Sequence, residues 1–332
     1  MKTFVSKKTV NYDKLQKYLE PAHATNQFSN GGWAVTELEK RARDMLKIDD
    51  SKAIIATSSG SSALHAIIFA LHRYNEASLR IATQDFNFPS ASQGPATGPI
   101  LVDFDKDLNF KLDDELAFAY GSIYVITNCF GHLQDLDKIL TFCQKHKKTV
   151  IFDNAASPYS FYEGVNSCNL GNASFISLHH TKPIGFGEGG LAIVERHLEE
   201  YVRVACNFGF VDRKFNERGS NFKMSEISAA SILQYWDSFD IDKLKEKHLD
   251  SYYDTLFKLN TSNTGDTFPN YADENSFLPS CLPYIYEKNT SLEEVEDNEA
   301  KKYYVPLRGL PISTQIYNRI ICHPIMENLS EY

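Results

Sequence analysis

Apolar and polar positions along the first two-thirds of the chain recur in two different periods, and the switches between them outline a fold. In WAVTELEKRARDML, residues 33–46, Leu38 and Met45 are among the apolar positions set between charges, which predicts an amphipathic helix. AIIAT (53–57) is a short apolar run of strand type; SSGSS follows it, and ALHAIIFALHRY (63–74) then reads as a helix. Strand, small-residue turn and helix in succession form the first unit of an α/β fold. The alternation continues. SLRIAT, GPILVDF and SIYVITN read as strands, and DLDKILTFCQKHKK (135–148) as a helix. TVIFDNA (149–155), ASFISL (173–178) and GLAIVE (190–195) are further strands. Strands alternating with helices predict a mostly parallel sheet covered on both faces.

Near Asp237 the pattern changes. A helical stretch, DIDKLKEKHLDSYYDTLFKL, leads into turn-rich residues 261–276, and LEEVEDNEAKK (292–302) reads as a solvated helix face. This divides the chain into a large domain, 1–236, and a smaller C-terminal α+β domain, 237–332, with no internal repeat.

Composition narrows the partners. A formal net charge of -9, from 34 basic and 43 acidic residues, opposes binding to nucleic acid or to an anionic membrane surface. The six cysteines lie far apart without a CxxC pair, as expected of scattered reduced thiols. MKTFVSKKTVNYDKL has no apolar core of a signal peptide, and no apolar run approaches the roughly 20 residues that span a bilayer. A cytoplasmic protein is expected.

Four stretches carry candidate chemistry. GFGEGG (185–190) matches the spacing of a dinucleotide fingerprint, but its glycines lead into a strand where that fingerprint needs a helix. His179 and His180 are adjacent, with no further ligand spacing nearby that would suit a metal. SSGSSALHA (58–66), between a strand and a helix, offers free helix-start amides and hydroxyls to an anion; an ordinary serine N-cap gives the same sequence. Asp153, at the end of an apolar strand, lies where ligands of parallel sheets bind, or else caps the next turn. With Lys182 downstream, a phosphate cradle, an aspartate and a lysine become the three anchors that pyridoxal phosphate requires. The lysine amine forms a Schiff base with the cofactor, the carboxylate keeps the ring nitrogen protonated, and the helix start neutralises the phosphate.

The ordered set FSNGGWAVTELE, SSGSSALHA, DFNFPSA, NCFGHLQDLDKI, VIFDNAAS, SFISLHHTKPIGFGEGG and GSNFKMSEISAA resembles the DegT/DnrJ/StrS sugar aminotransferases, strongly over residues 25–235. A weaker echo, PLRGLPISTQIYNRIICHPIMENLS, continues near the end. The resemblance implies the fold type I architecture of pyridoxal phosphate enzymes. It also implies transfer of an amino group from L-glutamate, through pyridoxamine phosphate, to a nucleotide-linked keto-deoxysugar, with a dTDP-linked 4-keto-6-deoxyhexose the first expectation. Lys182 matches the lysine that attaches to the cofactor and shuttles the proton, and Asp153 the partner of the ring nitrogen. Gly60, Ser61, Ser62 and Ser177 match phosphate ligands, and Phe88 the aromatic that stacks on the ring. Asn221 matches an asparagine that reaches the neighbouring subunit's cofactor, which implies a homodimer with shared active sites.

Three positions depart from that pattern. Ala156 stands where the family often has Gln or His, Lys223 replaces the usual arginine, and the family commonly runs on to a final helix beyond ICHPIMENLSEY. The alternatives these departures leave open are a pyridoxal phosphate-dependent sugar dehydratase and a cofactor-binding regulator without catalysis. Lys182 argues against the dehydratase branch, in which histidine replaces that lysine.

Overall fold

Seven runs of the chain are apolar toward both sides and build the central sheet of the computed structural model, which describes residues 2–272, 276–295 and 299–327. The strands are β1 (Lys52–Thr57), β2 (Ile81–Gln84), β3 (Ile100–Val102), β4 (Ile123–Thr127), β5 (Thr149–Asp153), β6 (Ala173–Ser177) and β7 (Gly190–Glu195). Their order across the sheet is β1-β7-β6-β5-β4-β2-β3. Pairs among β2 to β6 are parallel, whereas β7 runs antiparallel to both β1 and β6. The period-2 alternation of strands sends Ala53 and Ile55 to one face and Ile54 and Ala56 to the other. On the first face they meet α3 (Gly60–Tyr74) and α6 (Glu199–Cys206); on the second, α2 (Trp33–Leu46) and α7 (Glu226–Trp236), with α1 (Tyr12–Thr25), α4 (Glu115–Tyr120) and α5 (Leu136–Lys145) the other helices up to α7. Both faces of this end of the sheet are therefore sealed from water.

Helix α2 spans the residues that its periodicity predicts. It has no side-chain cap of its own. Instead the buried Glu226 carboxylate of α7 accepts the amides of Ala34 (2.7 Å) and Val35 (3.3 Å), tying two helices together at a dipole end. Gly32 makes room for that contact, since a Cβ there would lie 2.7 Å from the carboxylate carbon. Helix α3 starts earlier than its apolar period suggests, because Ser59 Oγ accepts the Ser62 amide at 3.1 Å and caps the helix.

Beyond α7 the chain forms α8 (Ile241–Ser262), a three-stranded antiparallel sheet of β8 (Gly265–Thr267), β9 (Leu282–Tyr286) and β10 (Ile320–His323), and α9 (Pro311–Arg319). Over its described residues LEEVEDNEAKK is not the helix its charge pattern suggests. A single 3₁₀ turn at Leu292–Glu294 is followed at Lys301 by extended pairing with Cys322, bonded in both directions, which excludes helical dihedrals there. Residues 296–298 of that run lie outside the described residues.

Two aspartates on loops after central strands hold this region down. Asp85 accepts the amides of Arg308 (2.6 Å), Gly309 (3.1 Å) and Leu310 (2.7 Å). Asp103 accepts those of Ile312 (2.8 Å) and Ser313 (2.9 Å) and so caps α9 from a distance. At the other end of the chain, Lys2–Thr3 pairs with Met326–Glu327 and carries Phe4 into a cluster with Phe86, Phe130 and Cys281. All six cysteines are buried and unpaired.

Candidate active site

The antiparallel β7 decides where the site lies. Its first residue, Gly190, pairs with Thr57 at the end of β1 and with Ser177 at the end of β6. The loop entering α3, the end of β6 and the turn carrying Lys182 therefore share one edge of the sheet. Close approach is needed there: a Cβ on Gly190 would collide with the backbone of Ser59, and one on Gly185 with the carbonyl oxygens of Leu178 and His179. The glycines of GFGEGG thus serve a tight return into a strand.

A cavity of about 420 Å³ opens at this edge, lined by Ser59, Gly60, Ser61, Phe88, Asp153, Ser177 and Lys182. Asp153 is 4% exposed at the end of β5; its carboxylate accepts the Ala155 amide (2.9 Å) and the Thr127 hydroxyl (3.2 Å). Burial pushes its pKa up to about 6, and the Ala155 amide, the Lys182 ammonium and the Thr127 hydroxyl hold it from rising further. Burial pulls the Lys182 amine below its ordinary pKa, against the attraction of Asp153. A base of lowered pKa and a sequestered carboxylate thus face one space.

At the start of α3, the Ser62 amide is taken by Ser59 Oγ and the Ala63 amide by the Ser59 carbonyl. The amides of Gly60 and Ser61 have no acceptor within the helix and are available to an anion. Gly60 is cramped against Ser177, whose Cβ would lie 3.1 Å from an added Cβ, so the anion cradle is built by backbone. Phe88, 54% exposed, also lines the cavity.

Two of the residues singled out in the sequence do not line the cavity. Ser62 turns its hydroxyl to Ser58 (2.8 Å) and Ser59 (3.0 Å), stiffening the loop from behind. Asn221 is exposed on the segment that pairs with Asn207, whose chain neighbour Phe208 is also exposed. The two histidines also part company: His179 meets Thr181 (2.8 Å) and Glu188 (3.4 Å) at the cavity, while His180 packs on Phe186. Where Ala156 departs from the family pattern, Ala155 and Ala156 line the wall, and Asn154 turns away to bond Asn128 at 2.7 Å.

The facing wall went unread in the sequence. Phe4, Ser280, Cys281, Lys301, Tyr303 and Tyr304 line the cavity opposite the sheet edge. Lys301 Nζ sits 4.7 Å from the centre of the Phe4 ring, and desolvation of the partly buried Tyr304 phenol raises its pKa well above the usual range. The signal for these residues was the tyrosine pair within a charged segment; nothing local tied it to Asp153.

The donor set fits a phosphorylated cofactor that bears an aldehyde: an amine, a carboxylate shielded from water, and an anion cradle. A large mixed sheet flanked by helices, with a smaller sheet domain, is the architecture of pyridoxal phosphate-dependent aminotransferases. A solved structure of a putative member of that class from Bacillus cereus superposes with a TM-score of 0.81 at 21% identity, covering 99% of this chain and 96% of that one. More narrowly, the chain belongs to the DegT/DnrJ/EryC1/StrS aminotransferase family, whose model matches residues 11–331. Among its relatives is the dTDP-4-amino-4,6-dideoxy-D-glucose transaminase of Shigella dysenteriae, 25% identical over 94% of this chain and 90% of that protein. Another is the UDP-4-amino-4,6-dideoxy-N-acetyl-beta-L-altrosamine transaminase of Campylobacter jejuni, 23% identical over 71% of this chain and 65% of that protein. The enzyme is a sugar aminotransferase, and pyridoxal phosphate is the cofactor of its class.

Proposed function

We propose that this aminotransferase moves the amino group of L-glutamate to the keto carbon of a nucleotide-linked deoxysugar, with a dTDP-linked 4-keto-6-deoxyhexose as acceptor. Overall the exchange balances without an external oxidant: glutamate leaves as 2-oxoglutarate, and the ketone becomes an amine. The observation that carries this reading is the meeting of Lys182, Asp153 and the loop before α3 in one cavity. The dTDP-sugar relative, matched over most of both chains, supports the acceptor class.

Pyridoxal phosphate, when bound, supplies an aldehyde for the amine and a ring that accepts electrons as a Cα–H bond breaks. Lys182 is its covalent anchor and, once released, the base that carries the proton, a role suited to an amine whose pKa burial has lowered. Asp153 holds a negative charge, out of water, for the ring nitrogen. Gly60, Ser61 and Ser177 hold the phosphate, and Phe88 covers the ring. Lys301, Tyr303 and Phe4 form the side toward the sugar nucleotide. The same reading includes a homodimer: Asn221 and exposed Phe208 beside its pairing segment would be covered by a second chain and reach its site.

One optical experiment tests the central claim. Protein loaded with pyridoxal phosphate is expected to show a visible band that L-glutamate bleaches and the dTDP-linked keto-sugar restores. In Lys182→Ala that band is absent and turnover falls at least about 10³-fold. Bleaching that no keto-sugar nucleotide reverses would remove the proposed acceptor, and a band indifferent to glutamate would remove the donor.

A further inference from the structure

The turn that carries Lys182 leaves β6 at Ser177 and enters β7 at Gly190 without forming a helix or strand of its own. Its backbone carbonyls must find partners elsewhere, because unpaired buried carbonyls are costly. A few bonds are internal, such as Gly185 N–H to the Lys182 carbonyl (3.0 Å) and His180 N–H to that of Gly187 (2.8 Å). The rest come from distant side chains. Lys8 Nζ donates to the carbonyls of His180 (2.7 Å), Lys182 (2.6 Å) and Gly185 (2.6 Å). Tyr235 Oη donates to Pro183 (2.9 Å), and Trp236 Nε1 to Ile184 (2.7 Å).

Three acceptors match the three protons of one ammonium. No carboxylate pairs with Lys8 among the described residues; the Tyr235 ring lies 4.8 Å away, and His180 and His248 are the other titratable neighbours. Burial brings the Lys8 pKa down to about 7, the cost of placing a cation there. Its ammonium is aimed at the main chain of Lys182 and of two other residues of the same turn.

We propose that Lys8 is a positioning residue for Lys182, holding the turn so that the Lys182 amine meets the cofactor in the geometry for covalent attachment. The inference rests on Lys182 being the attachment point, as proposed above. Its reach is that of orientation effects, in which a displacement near 1 Å costs up to about 10²-fold in rate.

The test uses the full chain and pyridoxal phosphate as the probe. The rate at which cofactor becomes fixed to Lys182 is read by borohydride reduction and peptide mass spectrometry. In Lys8→Met it falls about tenfold or more. A second readout separates positioning from collapse of the site: in a Lys182→Ala background, Lys8→Met changes noncovalent cofactor affinity by less than about twofold, because Lys8 acts only through Lys182. Should Lys8→Met fail to fold, Lys8→Gln carries the same two measurements. Attachment at the native rate in the variant overturns the proposal, as does an equal loss of affinity in the Lys182→Ala background. A native protein that never attaches cofactor at Lys182 overturns both this proposal and the assignment of Lys182, whereas native attachment with an unaffected variant overturns only the role of Lys8.

Discussion

One wall of the cleft is made from the ends of β1, β5 and β6 and the start of α3; the wall facing it is made from Phe4, Ser280, Cys281, Lys301, Tyr303 and Tyr304, drawn from both ends of the chain. On the first wall strand register places Asp153 and Ser177, so these two arrive at the edge together with the rest of the sheet. On the second, position depends on a few long-range ties, chiefly the Asp85 and Asp103 carboxylates and the pairing of Lys2–Thr3 with Met326–Glu327. On the proposed assignment, a site assembled this way can keep its cofactor chemistry while its substrate side is reshaped.

The largest effect should come from the first wall. Asp153→Asn is expected to lower turnover by about 10²-fold or more while leaving the fold intact. In cofactor-free protein the same change works the other way on stability. The folded pKa of Asp153, about 6, lies above its ordinary 3.8, so the native state holds the proton longer than the unfolded chain does. The native protein therefore loses stability from this group as pH rises between those values, by up to about 3 kcal/mol. Denaturant unfolding of the cofactor-free variant should show that part of the pH dependence removed; an unchanged profile would mean that Asp153 is not the sequestered carboxylate described.

Asp85→Ala tests the ties of the second wall. It strips three amides of a charged acceptor and should cost about 2 kcal/mol in urea unfolding. The Michaelis constant for the sugar nucleotide should rise with it, while cofactor attachment at Lys182 stays near native. Equal loss on both sides of the cleft would refute the separation of the two walls.

Lys301→Ala is the more local version. It should raise the Michaelis constant for the sugar nucleotide about tenfold with little change in turnover, as expected for uniform binding. Smallest of all is Ser62→Ala, whose hydroxyl faces Ser58 and Ser59. Cofactor affinity measured by titration should move by no more than about twofold, against about tenfold for Ser61→Ala, which lines the cavity.

These contrasts follow how much of the molecule could be read from its sequence. The bounds of α2 were legible because an amphipathic period is local. That Lys182, Asp153 and the loop before α3 share one cavity was legible because each lies at or beyond the end of an apolar strand, at the edge where such sheets bind ligands. The different facing of Ser61 and Ser62 was not, since successive residues of a helix turn by about 100° and only coordinates fix the phase. Lys301 was hidden for another reason: its charge-rich surroundings resemble a solvated helix, and only pairing with Cys322 draws it into extended form beside the cavity. Lys8 gave no signal either, because a lysine that bonds main-chain carbonyls leaves no partner to find in a motif.

The reversal of β7 has a consequence for how this enzyme can vary. A parallel strand after β6 would have required a crossover to the far side of the sheet, and its lysine could have sat anywhere along a long excursion. With β7 antiparallel, the lysine rides on a short return whose two ends are both stitched into the sheet. A change of length within either paired strand would throw it out of register and turn its apolar side chains toward the wrong face. The turn bearing Lys182 is thus pinned to the sheet at both of its ends, whereas Phe4, Lys301 and Tyr303 across the cavity belong to no strand of that sheet.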